Sequence, residues 1–424
     1  MRTMRFSRSS TRGSTLVVAI MVTGIIGVTL GSYLYLVQSQ NRSVMHSLSW
    51  NAALPMAEAG VEEAMTQITR NKILNLSADN WTLSSNGYTK QRILGDGRFE
   101  VAIAVNTNAG FSSTNVSIRS TGYVRRPKSD DEVARTVLVG AGIRPKYVGI
   151  VTRDAISLGG NFYSDSFDSG NTNASTGGAY DPVKKAANSF IGSNSKGSNI
   201  VTIGTATVKG VVATGPGGSV GAKGGSSVGD LAWSSAGIQP GHSRDDMNYQ
   251  IPDPVLPSIV WSPVVTVNLG GTNYVLLGGG NFSVASLASG SRILVTKPSV
   301  LYVPGTVSLD ELNIESGGSL EMYVGGATTT LNSGGLINQG GNALNFVYYG
   351  LPSNTSITFS GDVSIVGCIY APEADVSATG SGVLFGALSS NTLKAGGGFN
   401  YHFDENLLKN GPSYGLYITS WDEL

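Results

Sequence analysis

Residues able to do chemistry are few and scattered in this 424-residue chain. In "YSDSFDSG", Asp165 and Asp168 sit in a glycine-containing turn, where carboxylate oxygens can hold a calcium ion. The same side chains more often cap their own turn backbone, and that is the reading adopted here. Near the C-terminus, "YHFDENL" sets His402 beside Asp404 and Glu405. On a strand alternate residues share a face, so His402 and Asp404 point one way and Glu405 the other, which favours a structural role over a metal site. Glycoside chemistry would need converging carboxylates. Between Trp261 and Ser360 the only charged residues are Arg292, Lys297, Asp310, Glu311, Glu315 and Glu321, and "SLDELNIESGG" reads as an exposed corner and strand. Asp245 and Asp246 beside Arg244 read as a local solvated cluster. The single cysteine, Cys368, excludes an intrachain disulfide and a thiolate zinc cluster, and its apolar neighbours suit a buried, unreactive thiol. "GPGGSVGAKGG" (215–225) lacks the strand-to-helix setting of a phosphate loop. No catalytic residue, metal or cofactor is assigned, and no enzyme is expected.

The elements that would position these residues follow from composition. Charged residues make up 13% of the chain against a usual ~25%, and glycine, at 57 residues, is about twice its usual share. Lysine plus arginine equals aspartate plus glutamate at 28 each, leaving no basic excess to grip phosphates, so nucleic acid is not an expected partner. The length predicts two or three domains.

From Gly13 to Asn41 no charged residue or histidine occurs, a run longer than the ~20 residues that cross a bilayer as a helix. Arg2, Arg5, Arg8 and Arg12 precede it, which places the N-terminus in the cytoplasm and the remainder outside. A secretory signal would have a shorter apolar core and a cleavage site after it. Gly24, Gly27 and Gly31 give the helix a face that a neighbouring helix can approach closely. Beyond it, "WNAALPMAEAGVEEAMTQITRNKIL" puts Ala57, Val61, Ala64 and Ile68 on one stripe, an amphipathic continuation that Pro55 kinks without ending. A single helix over 15–69 would be about 80 Å long, so the excess must pack on something.

The basic leader ending in Gly13, the following "STLVVAI" and the long half-apolar helix resemble the N-terminus of type IV pilins and pseudopilins. With "AEAGVEEAM" (57–65), the resemblance is to PilX-type minor pilins. It implies cleavage by prepilin peptidase between Gly13 and Ser14, retention of the helix in the inner membrane, and packing against other pilin subunits. Major pilins carry a glutamate five residues into the mature chain, where this chain has Val18. In that family its absence marks minor subunits that start or cap a filament. A tip subunit of a pilus or of a type II secretion pseudopilus is therefore expected, exposed to the periplasm or cell surface.

Period-two runs follow: "RFEVAIAV" (Phe99, Val101, Ile103, Val105), "NVSIRSTGYV" (Val116, Ile118) and "VARTVLVGAGI" (Val133, Val137, Val139). They read as antiparallel strands with one apolar face for the helix. "RRPKSDDE" reads as a solvated hairpin tip. After Pro145, short apolar bursts separated by Gly, Ser, Asn and Thr recur at roughly 16–25 residues, as from Val303 to Val324 and from Ile369 to Phe385. This predicts a right-handed parallel β-helix, with an antiparallel sandwich as the competing fold. Asp230–Pro263 holds five prolines and is expected to leave the coils as a long excursion wrapping the solenoid or covering its open edge. "IYAPEADVSATGSGVLFGAL", "YHFDENL" and "ITSWDEL" resemble β-helical ectodomains joined to PilX-type N-termini.

The expected organisation is a leader (1–13), a transmembrane and amphipathic helix (14–72), a pilin-like antiparallel sheet (73–145) and a glycine-rich β-helical head (146–424) interrupted at 230–263. The fold class is α+β followed by all-β. The head would contact a surface, a glycan or secreted cargo. The rival reading is a membrane-anchored carbohydrate-active enzyme or glycan-binding protein.

Overall fold

The computed structural model describes residues 12–71, 79–84, 87–104, 115–127, 131–332, 336–338 and 342–424. Most of the leader, Val105 and the tip of "RRPKSDDE" lie outside them. The chain forms two compact units, one built from the N-terminal 144 residues together with Gly415–Leu424, the other from Pro145–Tyr414.

The first unit is a helix on a sheet. Helix α1 (Arg12–Asn71) runs without interruption through Pro55. Strands β1 (Thr82–Ser84), β2 (Gly87–Leu94), β3 (Gly97–Ala104), β4 (Asn115–Arg125) and β5 (Glu132–Pro145) follow as an antiparallel meander. Ser49, Ala53, Ala57, Val61, Ala64 and Ile68, three or four residues apart, are the buried stripe of α1. They meet Phe99, Val101, Ile103, Val116, Ile118, Val137 and Val139, the predicted strand face. Phe99, Ile103 and Ile118 are each almost wholly buried, worth about 1.5–3 kcal/mol apiece. Contact is close enough to require glycine on both sides. A Cβ on Gly122 would lie 2.2 Å from the Ala53 carbonyl oxygen, and one on Gly60 would lie 2.2 Å from Ser120 Oγ.

The sheet is completed from the far end of the chain. The C-terminal strand Ser413–Glu423 lies beside β5. Leu424 N–H donates to the Thr136 carbonyl (3.0 Å), Gly140 N–H donates to Ser420 Oγ (3.2 Å), and Arg144 covers the Tyr417 ring at 5.4 Å. These contacts run in opposite senses along the two segments, so the pairing is antiparallel. "ITSWDEL" therefore belongs to the helix–sheet unit rather than to a head spanning 146–424, and Leu416 of the same strand packs against the first core.

The second unit is a stack of parallel coils, most of about 20 residues and the longest, from Ile150 to Ile191, enlarged by a loop, whose strands pair with the strand one coil away. One column gives its order: Ser262, Phe282, Leu301, Met322, Tyr348, Ile369, Leu388, Ile150, Ile191, Val212, Ser243, each paired with the next. Sequence order is broken at Leu388–Ile150. The chain enters mid-stack, winds outward to Ser243, crosses to the opposite end and winds back to the middle. Lys146 N–H donates to the Pro412 carbonyl (2.8 Å), so entrance and exit lie side by side. Val303 pairs with Val324 as the spacing predicts, whereas Ile369 pairs with Leu388 and Phe385 with Val366.

The crossing is the proline-rich excursion. Ten steps of the column span about 48 Å at ~4.8 Å each, and the 19 residues from Ser243 to Ser262 reach at most about 63–68 Å. The segment must run nearly extended, which proline favours. It is fastened to successive coils as it goes. Met247 N–H donates to Thr214 O (2.9 Å), and Asn194 exchanges two bonds with the Tyr249 backbone (2.8 and 2.6 Å). Arg153 holds the Ile251 carbonyl (2.6 Å) and Asp253 (2.7 Å) while also pairing with Glu373. Tyr370 OH donates to the Pro252 carbonyl (2.6 Å), and Trp261 lies 5.6 Å from the Tyr302 ring. Tyr302, Tyr323, Tyr349 and Tyr370 occupy one position on consecutive coils, and the Tyr323 and Tyr349 rings stack at 4.8 Å.

Candidate functional site

Two places carry the residues singled out in the sequence, and the N-terminal half of α1 is the larger. From Thr15 to Leu48 every residue is exposed except half-buried Val37, and these include Leu16, Val17, Ile20, Met21, Ile25, Ile26 and Leu34. Thirty-four residues make about 51 Å of helix at ~1.5 Å per residue, and the hydrocarbon core of a bilayer takes up only ~30 Å. The most apolar window has a mean hydropathy of 2.1, long and apolar enough to cross a membrane. Two of its hydroxyls are satisfied within the helix: Thr23 donates to the Ala19 carbonyl (2.8 Å) and Thr29 to that of Ile25 (2.9 Å).

Gly13 and Ser14 lie in the first turn of α1, with their side chains outside the described residues. Val18 is exposed among exposed apolar neighbours. Cβ atoms built on Gly24, Gly27 and Gly31 would meet nothing within 4 Å, so this face is open to a closely approaching partner. Pro55 is exposed at the start of the half of α1 that packs on the sheet.

The second place is a polar cluster on the outside of the coil stack. Parallel register sets His402 directly opposite Asp165, and His402 Nδ1 lies 2.5 Å from Asp165 Oδ1 in a buried pair. Tyr180, from the loop that follows Phe167, donates to Asp165 Oδ2 (2.7 Å) and stacks on the His402 ring at 3.8 Å. Phe385 packs against both rings, 5.0 Å from His402 and 5.6 Å from Tyr180. Burial, then the bond to Asp165, push the Tyr180 phenol well above its ordinary value. Beside it, Lys185 Nζ donates to Tyr163 OH (2.8 Å), which raises the lysine.

Asp404 accepts from the Ser169 amide (3.0 Å) and hydroxyl (2.7 Å), while burial outweighs these bonds and raises its carboxyl. Asp168 accepts from Gly170 N–H (3.0 Å), the turn cap read from the sequence, and from Lys409 (2.7 Å). Asp165 does not cap its own turn, as was expected of it; its carboxylate is taken by His402 and Tyr180. Glu405 accepts from Ser166 Oγ (2.8 Å) and Asn188 (2.9 Å). The acids of this face thus pin the 168–188 loop against the coils. Register alone brings Asp165 to His402 across 237 residues of sequence, and nothing local to either residue signals it.

Elsewhere Asp310 accepts from Asn332 (2.7 Å) and Glu311 pairs with Arg292 (3.2 Å), so the two carboxylates have different partners. The Cys368 thiol is fully buried, and burial raises it far above its ordinary value. Among the described residues no group of three His, Cys, Asp or Glu side chains is placed to hold a metal.

The family described as "Domain of unknown function (DUF7305)" matches residues 294–410, the coils that wind back to the middle of the stack. No curated protein matches the chain. Among solved structures, the competence-associated pilin ComZ from Thermus thermophilus aligns over 89% of this chain and 97% of its own. Identity is 11% and the TM-score is 0.24, too low to support an inference, so the chain is characterised by its own two units: a helix–sheet unit and a parallel coil stack.

Proposed function

We propose that this chain is a minor subunit of a type IV pilus-type or type II secretion-type filament, held first in the inner membrane and later in the fibre by α1. The carrying observation is the division of that helix. Its C-terminal part is seated on the sheet, while the charge-free stretch 15–41, about 40 Å of mostly apolar helix at ~1.5 Å per residue, has no cover within the chain, more than one bilayer core takes up. Helices of neighbouring subunits are the natural cover for the remainder, and the open glycines Gly24, Gly27 and Gly31 suit their close approach. Val18 lacks the carboxylate that would dock onto a neighbour's amine, which supports a scarce subunit at the fibre tip. In this reading the coil stack is a non-catalytic head presented for adhesion or cargo contact.

Mass spectrometry of the mature protein tests this directly. The expected N-terminus is Ser14, generated by prepilin peptidase and lost in a strain without that enzyme. An intact leader in a membrane-anchored product would refute the filament route and return α1 to a plain anchor. For the tip position, gold labelling should mark fibre ends, and uniform labelling along fibres would overturn it.

A further inference from the structure

The two ends of the coil stack are finished differently. At the Ser243 end the outermost strands are the two-residue pieces Gly237–Ile238 and Ser243–Arg244, next to Pro240, Arg244, Asp245 and Asp246. Short strands, proline and charge are the usual means of stopping a sheet edge from pairing further. The Ser262 end also has a two-residue piece with a proline, Ser262–Pro263, but beside it lies a longer strand that carries neither proline nor charge. There Val265–Leu269 pairs antiparallel with Thr272–Leu277 through a Gly270–Gly271 turn with both φ angles positive, and it has no second strand partner among the described residues. No charged residue occurs from Pro254 to Ser291. Val265 and Leu269 are 61% and 50% exposed, and Val260 beside them is 87% exposed.

We propose that this edge is a docking surface for a second copy of the chain, the two Val265–Leu269 strands pairing antiparallel about a two-fold axis through Val267. An uncharged edge has nothing to attract a charged partner, and the strand complements itself. The axis sets Val265 opposite Leu269, Thr266 opposite Asn268 and Val267 opposite its own counterpart, apolar against apolar and polar against polar. The Gly-Gly hairpin holds the edge extended, so little order is lost on pairing.

The pairing puts identical residues at the axis, where directly opposed Cβ atoms are about 4.5–5.5 Å apart, close to disulfide reach. In the detergent-solubilised full chain, Val267→Cys should give a disulfide-linked dimer under mild oxidation. Its yield should exceed by about tenfold that of Val183→Cys, a control on an exposed loop of the same unit. The native Cys368 is buried and does not compete. Light scattering should find a dimer of the unmodified chain, lost in Val267→Lys, where two ammonium groups would face each other. Equal yields from the two cysteine variants, a monomeric unmodified chain, or open-ended association in place of a dimer would each overturn the proposal.

Discussion

At Gly122 the backbone of β4 passes so near α1 that an added methyl would sit 2.2 Å from the Ala53 oxygen and 2.4 Å from the Ala57 nitrogen. Backbone cannot yield as a flexible side chain can, so Gly122→Ala should destabilise the helix–sheet unit by about 1–3 kcal/mol. Hydrogen exchange should then show weakened protection in β3 and β4, with the coil stack unchanged. Lys146 offers a different test. Burial pulls its amine from 10.5 down to about 8, against an opposing pull from Glu321. Between those values the unfolded chain binds a proton that the folded coil stack does not, so stability rises with pH from about 8 to 10.5, and below 8 the cost of charging the amine is fully present. Lys146→Met should flatten that slope relative to the unmodified chain, read from denaturant midpoints at pH 7, 9 and 10. What could be read in advance at this scale was whatever local pattern determines. The stripe Ala57, Val61, Ala64, Ile68 and the strand residues Phe99 to Val139 are buried as their spacing predicts. The Asp165–His402 pair was not legible, since it depends on which coil lies beside which.

Among the elements, the proline-rich segment shows most clearly how a composition reading becomes a distance argument. Its prolines identified an excursion, but its course depends on the stack being wound from the middle outward. With 19 residues for about 48 Å, the strap has little slack. Removing two residues from the exposed part near Ser258 should be tolerated. Removing six would leave a reach of about 43–47 Å, shorter than the span, and one half of the stack should then lose its pairing, seen as new protease-sensitive sites within 150–244 or 262–404. Coil spacing was only partly legible. Val303 and Val324 align, but Ile369 lies opposite Leu388 rather than Phe385, in a register that sets Gly386 opposite Gly367, where an added Cβ would come within 2.1 Å of the Gly367 oxygen.

For the molecule as a whole, the coil stack is an insertion between two strands of one sheet, β5 and the C-terminal strand. Local pattern does not signal this, because the pairing of the C-terminal strand with β5 joins residues some 280 positions apart. The Lys146–Pro412 bond joins the ends of the insertion, so replacing 147–411 by a short turn should leave the helix–sheet unit folded. Circular dichroism and retention of the Arg135–Glu423 pair by mutational cycle would check this. The inserted stack is itself in two halves, which touch where Leu388–Ser390 pairs with Ile150–Thr152, Leu393–Ala395 with Ile156–Leu158, and Asn400–Asp404 with Tyr163–Phe167.

Each half therefore has its own tether, one through β5 and the other through the C-terminal strand, and the strap is a third connection between them. Val255 and Val260 stand on that strap with 82% and 87% of their surface exposed. A host protease would meet them first, and the cut would release nothing: two fragments would separate on a denaturing gel yet migrate together in native form. The exposed strap makes the protein a chain that can be severed once and remain whole.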